Sequence, residues 1–414
     1  MHLLVRRGIV VVDKEFPYAL HQIFLLEMNV QTEMNRHKNQ IASSGPATIK
    51  DVAILSGVSV GSVSNVLNGR ASVKPAVRNR IVAAIEQLDY RPNRRAQNLA
   101  KNSTPVLSFI LSNRDLHDPF HSRILEGVSR RCDATDFYVL FSKLSYGPDL
   151  PIQNIPLPPA VRARGMAECV VLAGTNYPNL IEALEQRGVP YVVLANNLVG
   201  DKRESPVDQV RFDDTAAAQE ATRYLIKMGH RDIWYIGDTS LPWFNHRYEG
   251  YRLAMQEKGL TPRAQTAAIS DDRFINGFRY TSSILKEKHP LTAIFAGTDE
   301  IAYGCWEFLQ QESISVPEQV SIIGFDDQRG PYKGLGLTTV RVEAETIGDR
   351  LAEMAINKVR HPERHYPEVV IPTQLVKRGT CQPPTSQRST ILTAGTRHQR
   401  ARNKLPPKSA ADLM

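Results

Sequence analysis

The sequence predicts a small all-α unit followed by a larger α/β unit, and three observations predict it. Between Thr48 and Tyr90 the chain is densely helical in pattern, punctuated by Gly57 and Gly69, with no strand-like alternation. From Pro105 onward, apolar runs of strand length recur between amphipathic helical stretches, the pattern of a mainly parallel sheet covered by helices. At 414 residues the chain has room for two or three cores, since one domain usually takes roughly 100–200 residues.

Composition narrows the class. With 42% hydrophobic and 23% charged residues the chain is globular, neither disordered nor collagen-like. Its formal charge of +8 is local: residues 46–104 carry nine Lys/Arg against three Asp/Glu, whereas 105–380 is slightly acidic. A basic segment beside an acidic body implies a polyanion-binding module attached to something else. Cys132, Cys169, Cys305 and Cys381 are scattered, without metal-ligand spacing, and read as reduced thiols of a cytosolic protein. Arg6, Arg7, Asp13, Lys14 and Glu15 interrupt the apolar start, and no segment approaches about 18 uncharged apolar residues. Neither export nor a membrane span is expected. Residues 1–45 read as a disordered lead-in, or as residues ahead of the true start, for which Met34 would serve.

The helical unit, 46–91, divides into three helices. Thr48 can cap the first, with Asp51 favourably placed three residues on, and the helix runs to about Ser56. Gly57 supplies a tight turn, and Ser59 can cap a second helix over 60–67 that Asn68-Gly69 stops. Val63, Val66 and Leu67 share an inward face, so Val60, Gly61, Ser62, Ser64 and Asn65 face out: short side chains near a helix start, as a helix lying in the major groove requires. Pro75 opens a third helix with an inward stripe of Val77, Ile81, Ala84, Ile85 and Leu88, leaving Arg78 and Arg80 outside.

The run Thr48-Ile-Lys-Asp-Val-Ala through Gly57-Val-Ser-Val-Gly-Ser-Val-Ser-Asn-Val-Leu-Asn68, then Leu88-Asp-Tyr-Arg-Pro-Asn93, resembles the helix-turn-helix headpiece of lactose-repressor (LacI/GalR) family regulators. A helical bundle segment with the same apolar pattern is the alternative, and the agreement of motif, charge and linker argues against it. The resemblance implies base reading at Val60, Gly61 and Asn65, and phosphate contacts at Ser59, Ser62, Asn68 and Lys74. It also places Thr48 and Asn93 in the DNA-binding set. Gly61 departs from the family pattern, having no side chain to reach a base, and Lys74 stands where a capping Ser is common.

Residues 92–104 are basic and polar, and Arg94-Arg-Ala-Gln-Asn-Leu-Ala-Lys101 resembles the family's hinge helix. In that reading Leu99 is an apolar wedge for the minor groove, Arg94 binds phosphate and Ala96 lets two hinge helices approach. An ordinary linker with one incidental Leu is the alternative.

The α/β unit, 105–379, carries strand-like runs at 106–111, 138–141, 169–173, 191–195, 233–236, 293–296, 320–325 and 369–371. Five prolines mark 146–159 as a loop, and 380–414 reads as a disordered basic tail. Pieces such as Tyr224-Leu-Ile-Lys-Met-Gly-His-Arg-Asp-Ile233 and Val316-Pro-Glu-Gln-Val-Ser-Ile-Ile-Gly-Phe-Asp-Asp327 are similar to the same family's effector domain. The resemblance implies a two-lobed, periplasmic-binding-protein-like fold with ligand between the lobes, outside the carboxyl ends of strands.

Asp299 and Asp326 follow strands and could accept bonds from ligand hydroxyls, or serve as helix caps or interlobe links. Arg247 matches the family's ligand-anchoring arginine, with a surface ion pair as the alternative. Trp243 and Phe120 are candidate stacking walls or core, with His121 beside Phe120 and Asn196 at a further strand end. The aspartate often found at the position of Ala195 is missing, which leaves the ligand class open.

No Gly-x-Ser-x-Gly, phosphate loop or His-Glu-x-x-His occurs, and His117 and His121 around Asp118 are weak evidence for metal. The expectation is a non-enzymatic, cofactor-free DNA-binding regulator: a homodimer, or a higher assembly, on double-stranded operator DNA, responding to a sugar-like effector. A solute-binding protein and a sugar-processing enzyme are the rivals from other classes.

Overall fold

The computed structural model describes residues 47–67, 69, 73–91, 105–163, 166–200, 208–328 and 336–384. The expectations for 1–45, for the hinge 92–104 and for 385–414 lie outside those residues, as do the roles given to Asn68, Asn93, Arg94, Ala96 and Leu99. Contacts divide the chain into two units, Met1–Ser103 and Thr104–Met414.

In the first unit α1 (Ile49–Ser56), α2 (Val60–Leu67) and α3 (Pro75–Gln87) close over Val52, Ala53, Val63, Ile81, Ala84 and Tyr90. Gly57 ends α1 at φ 64°, a left-handed conformation that costs a residue without a Cβ little. The three helices and their inward stripe follow the sequence expectation, with Val77, Ile85 and Leu88 half-buried against the core.

The second unit opens with β1 (Val106–Ser112), α4 (Pro119–Ala134), β2 (Tyr138–Leu144), α5 (Pro159–Arg162), β3 (Cys169–Gly174), α6 (Pro178–Glu185), β4 (Tyr191–Leu194) and β5 (Gln209–Phe212). The chain then crosses to a second lobe with α7 (Asp214–Lys227), β6 (Ile233–Ile236), α8 (Pro242–Gln256), β7 (Arg263–Gln265), α9 (Arg273–Lys286), β8 (Ala293–Ala296), α10 (Asp299–Gln311), β9 (Ser321–Asp326) and β10 (Thr338–Val342). It crosses back through α11 (Ala344–Arg360) to β11 (Val369–Ile371) and returns for β12 (Thr373–Val376).

Two six-stranded sheets result, ordered β11-β5-β4-β3-β1-β2 and β12-β10-β9-β8-β6-β7. All pairings are parallel except β10 with β12. The central strands β3, β8 and β9 are buried along their whole length, which is why they read as unbroken apolar runs. Helices α4 and α11 meet backbone to backbone: a Cβ at Gly348 would lie 2.0 Å from the Ile124 carbonyl, and one at Gly127 would lie 2.0 Å from that of Glu345.

Three expectations change. Strands β5, β7, β10 and β12 were not foreseen. The proline-rich 146–159 is not simply a loop: it holds a 3-10 turn at Ile152–Asn154 and buries Tyr146, Ile155 and Leu157. The packed chain also continues past 379, because Thr380 is buried, with its hydroxyl donating to the Ile322 carbonyl at 2.7 Å, and the Gln382 carbonyl accepts from Ser321. All four cysteines are free thiols, and burial raises that of Cys132 to about 11. Among the described residues no helix is long and apolar enough to cross a membrane, and no group of three His, Cys, Asp or Glu is placed to hold a metal ion.

Candidate functional site

In the helical unit the outward face of α2 begins with Ser59, Val60 and Gly61, all exposed, and continues through the half-buried Ser62, Ser64 and Asn65. The Ser59 hydroxyl accepts the Ser62 N–H at 3.2 Å and lies 3.0 Å from the Ser62 hydroxyl, so both serines organise the helix start. Thr48 is turned to Asp51, its N–H and its hydroxyl both donating to the carboxylate at 2.8 and 2.7 Å, which makes it a helix-end residue within its own unit. Lys74 is an exposed cation where α3 begins. A Cβ built at Gly61 meets nothing nearer than the Ser59 hydroxyl at 3.7 Å, so the missing side chain is not demanded by packing.

In the α/β unit the carboxyl ends of the strands face a cleft between the lobes. A narrow cavity there is lined by Asp118, Phe120, His121, Asn197, Phe212, Trp243, Arg247, Arg273, Thr298 and Asp326. Five of the residues expected from the sequence therefore meet: Phe120, His121, Trp243, Arg247 and Asp326.

Two do not. Asn196 points away, its amide donating to the Phe212 carbonyl at 2.8 Å and to Asp214 at 2.7 Å while its own carbonyl accepts the Phe212 N–H. The 3-10 turn Ala195–Asn197 presents the next residue, Asn197, instead. Asp299 is fully buried behind the cleft, accepting from the Thr339 hydroxyl at 2.5 Å and the Gln328 N–H at 2.6 Å. Its neighbour Thr298 lines the cavity and caps α10.

Arg247 is the centre of the cleft floor. Its Nε donates to Asp214 at 2.7 Å, one terminal nitrogen donates to the Gly297 carbonyl at 2.6 Å, and the other lies 3.2 Å from Asp326. The guanidinium also stacks 3.7 Å from the Phe325 ring. Burial raises the Asp326 carboxyl to about 7, with Arg247 pulling it down and Asp118 pushing it up. Asp326 holds φ at 103°, a region that costs a non-glycine residue free energy, so the fold keeps this carboxylate in the cleft against local preference. Burial, then Asp326, drives the Asp299 carboxyl well above the ordinary range.

The lobes also meet at the cleft mouth. Arg273, from the start of α9, donates to Asp118 of the first lobe at 3.1 Å. Burial would raise Asp118, but His121, Arg273 and the Phe120 N–H together hold it well below the usual carboxylate range. The Arg114 guanidinium lies 4.6 Å over the Trp243 ring, and burial and then Arg273 lower it to about 10. Phe120 stands edge-on to His121 and Phe212. Donors, acceptors and aromatic faces converge, while no Ser or Cys among the lining residues pairs with His121 as a nucleophile.

Sequence reasoning missed Asp118, Asn197, Phe212, Arg273 and Thr298. Asp118 had a signal, since Asp-Pro at a helix start is a capping pattern and Phe120 beside it was chosen. Arg273 had none, because it follows the three-residue β7 and a loop that carries no apolar run.

Comparison with known proteins places both units. Residues 48–93 match "Bacterial regulatory proteins, lacI family", and residues 222–381 match a periplasmic binding protein-like domain. The chain is 30% identical to catabolite control protein A of Priestia megaterium over 284 residues, 68% of this chain and 83% of that protein. It is 28% identical to the ribose operon repressor of Escherichia coli (strain K12), covering 81% of this chain and 99% of that one. Among solved structures, the Lac repressor dimer bound to operator and the anti-inducer ONPF superposes with a TM-score of 0.66 at 22% identity, over 82% of this chain and all of that chain. A CelR–cellobiose complex superposes with a TM-score of 0.58 at 25% identity, over 81% of this chain and 99% of that one.

Proposed function

The chain belongs to the lacI family of bacterial regulatory proteins, and on that footing we propose that it is a transcription repressor that binds a pseudo-palindromic operator as a homodimer and senses a sugar-like metabolite in the interlobe cleft. The observation that carries this reading is the union, in one chain, of a helix-turn-helix whose α2 presents short side chains outward with a cleft whose charged floor faces three aromatic rings.

In this reading Val60 and Asn65 read bases and Lys74 contacts phosphate. Leu99, outside the described residues, wedges into the minor groove. Arg247, Asp326, Asn197 and Asp118 bond effector hydroxyls, while Trp243 and Phe120 pack on its apolar face. The ribose operon repressor among the relatives supports a sugar-like effector. Strand β2 supports the dimer: it is the outer strand of its sheet and exposes Tyr138, Leu140 and Phe141. Signalling requires the effector to bind the two lobe arrangements unequally, so that closure alters how the two headpieces are held.

Selection of bound duplexes from a random pool with full-length protein tests the DNA half of this reading. A two-fold symmetric site with a deformable pyrimidine-purine step at its centre is expected. An asymmetric site, or no enrichment with or without metabolite pools, would overturn it.

A further inference from the structure

Asp326 reaches the cleft from a turn that works against its own backbone. Asp326 holds φ at 103° and Asp327 at 54°, two successive residues at positive φ without a glycine. Such a conformation persists only where the surrounding structure over-determines it.

Arg247 does not supply that hold. Its Nε and one terminal nitrogen are committed to Asp214 and to the Gly297 carbonyl at 2.7 and 2.6 Å, and its contact with Asp326, at 3.2 Å, is the longest of the three. The direction of the Asp326 carboxylate is therefore set by its main chain, and that main chain is gripped from behind the cleft.

Two grips are present. The Asp327 carboxylate accepts from Arg341 at 2.7 Å and from Arg378 at 2.6 Å, which fixes the middle of the turn. One residue on, the Gln328 N–H donates to Asp299 Oδ2 at 2.6 Å, while the Thr339 hydroxyl donates to Oδ1 at 2.5 Å and aligns the carboxyl group. Asp299 is fully buried and lies flush on β9, where a Cβ at Gly324 would stand 2.1 Å from Oδ1. A buried backbone N–H left without its acceptor is costly, so the bond to Gln328 ties the far end of the turn to the start of α10.

We infer that Asp299 is a positioning residue of the effector site: by bonding the Gln328 N–H from behind, it holds the Asp326–Gln328 turn in the form that directs the Asp326 carboxylate toward Arg247. This rests on the reading of the cleft as the effector site. Asp299 does not line the cleft, so it acts on an effector only through Asp326.

The test compares Asp299→Asn with Asp299→Ala in the full-length protein. Asn keeps an acceptor for the Gln328 N–H and an amide that can donate to the Thr339 hydroxyl, whereas Ala keeps neither. Crystal structures should show Asp326 in place beside Arg247 in the Asn variant, and relaxed to negative φ with its carboxylate turned away in the Ala variant. The second readout is the pH profile of the urea midpoint, taken with and without Asp326→Asn. The groups facing Asp326 are Arg247 of α8, Asp214 of α7, Arg273 of α9, Asp299 of α10, and Asp118 and His121 where α4 begins. Held among them, the Asp326 carboxyl is pushed up to about 7, so its share of stability is lost as pH rises through that value. Turned out to water, it titrates as an ordinary carboxyl and that share disappears. Neither variant titrates at position 299, so the proton of Asp299 drops out of the comparison. The part of the slope that Asp326→Asn removes should survive in the Asn background and fall by half or more in the Ala background. Should Asp299→Ala fold poorly, Thr339→Val, which removes the hydroxyl that aligns Asp299, is expected to lower the same part of the slope. Asp326 unmoved in the Ala variant overturns the inference, and so does its displacement in both variants, which would assign the effect to the charge of Asp299 and not to its bonds. No effector enters these measurements, so they bear on Asp299 alone; the reading of the cleft fails separately, if Arg247→Ala binds metabolites as the parent does.

Discussion

Arg247 and Asp214 form a buried ion pair, 2.7 Å from Nε to carboxylate with side chains 3% and 1% exposed, at the point where the chain first crosses between lobes. Asp214 opens α7, and its other oxygen accepts from Asn196 of the first lobe, so the pair joins both lobes to the cleft floor. Arg247→Ala leaves Asp214 and Asp326 without their cation. An uncompensated buried charge costs about 3–5 kcal/mol. Urea denaturation should show a loss of that size, and calorimetry a loss of effector binding. A variant as stable as the parent would mean that water enters and solvates the carboxylates.

Asp326 makes stability depend on pH in a definite direction. Its folded carboxyl is pushed up to about 7 from an ordinary 3.8, so between those values the folded state holds a proton that the unfolded state has released. The contribution is complete below about pH 4 and is lost as pH rises through 7. Asp326→Asn cannot titrate. Urea midpoints measured from pH 4.5 to 8 should fall more steeply for the parent than for the variant. Parallel curves would show that Arg247 keeps Asp326 ionised throughout.

The gross fold was legible because its central strands are buried on both faces and therefore read as apolar runs, as in 169–173 and 293–296. The strands that escaped notice sit toward sheet edges or alternate: Gln209 and Arg211 in β5, Arg263 and Gln265 in β7, and Thr-Thr-Val-Arg-Val in β10. Their pairing is decided by neighbours distant in sequence, which local pattern does not contain. Likewise, placing ligand groups at strand ends located Asp326 but chose Asn196 over Asn197. A one-residue difference there is set by the 3-10 turn, not by any periodicity.

Gly61 brings no side chain to the outward face of α2, where the family resemblance implies a base-reading residue. It lies in the first turn of α2 with open space around its absent Cβ, the nearest atom being 3.7 Å away. Replacing helical Gly with Ala relieves roughly 0.5–1 kcal/mol of unfavourable backbone entropy. Gly61→Ala should therefore raise the headpiece melting temperature and leave its fold intact. If the position faces DNA, duplex selection on the variant should show an altered preference at one base pair per half-site. A raised melting temperature with an unchanged site would remove Gly61 from the base-reading set.

The outer strand β2 exposes Tyr138, Leu140 and Phe141 at 48%, 39% and 42%. Apolar side chains along an edge strand invite pairing with another chain unless something covers them, and in the proposed homodimer a second copy would cover both this strand and its two-fold mate. Tyr138→Glu with Leu140→Glu places two like charges on one face of the strand at such a contact and spares Phe141, which stacks on the buried Phe109 of β1. Sedimentation should show the parent as a dimer and the variant as a monomer with an unchanged circular dichroism spectrum. Linking two headpieces raises avidity by about 10²–10⁴ over a single one, so the monomer should lose affinity for the full palindrome by that factor while its half-site affinity stays constant. A variant that remains dimeric and binds normally would move the interface elsewhere on the unit.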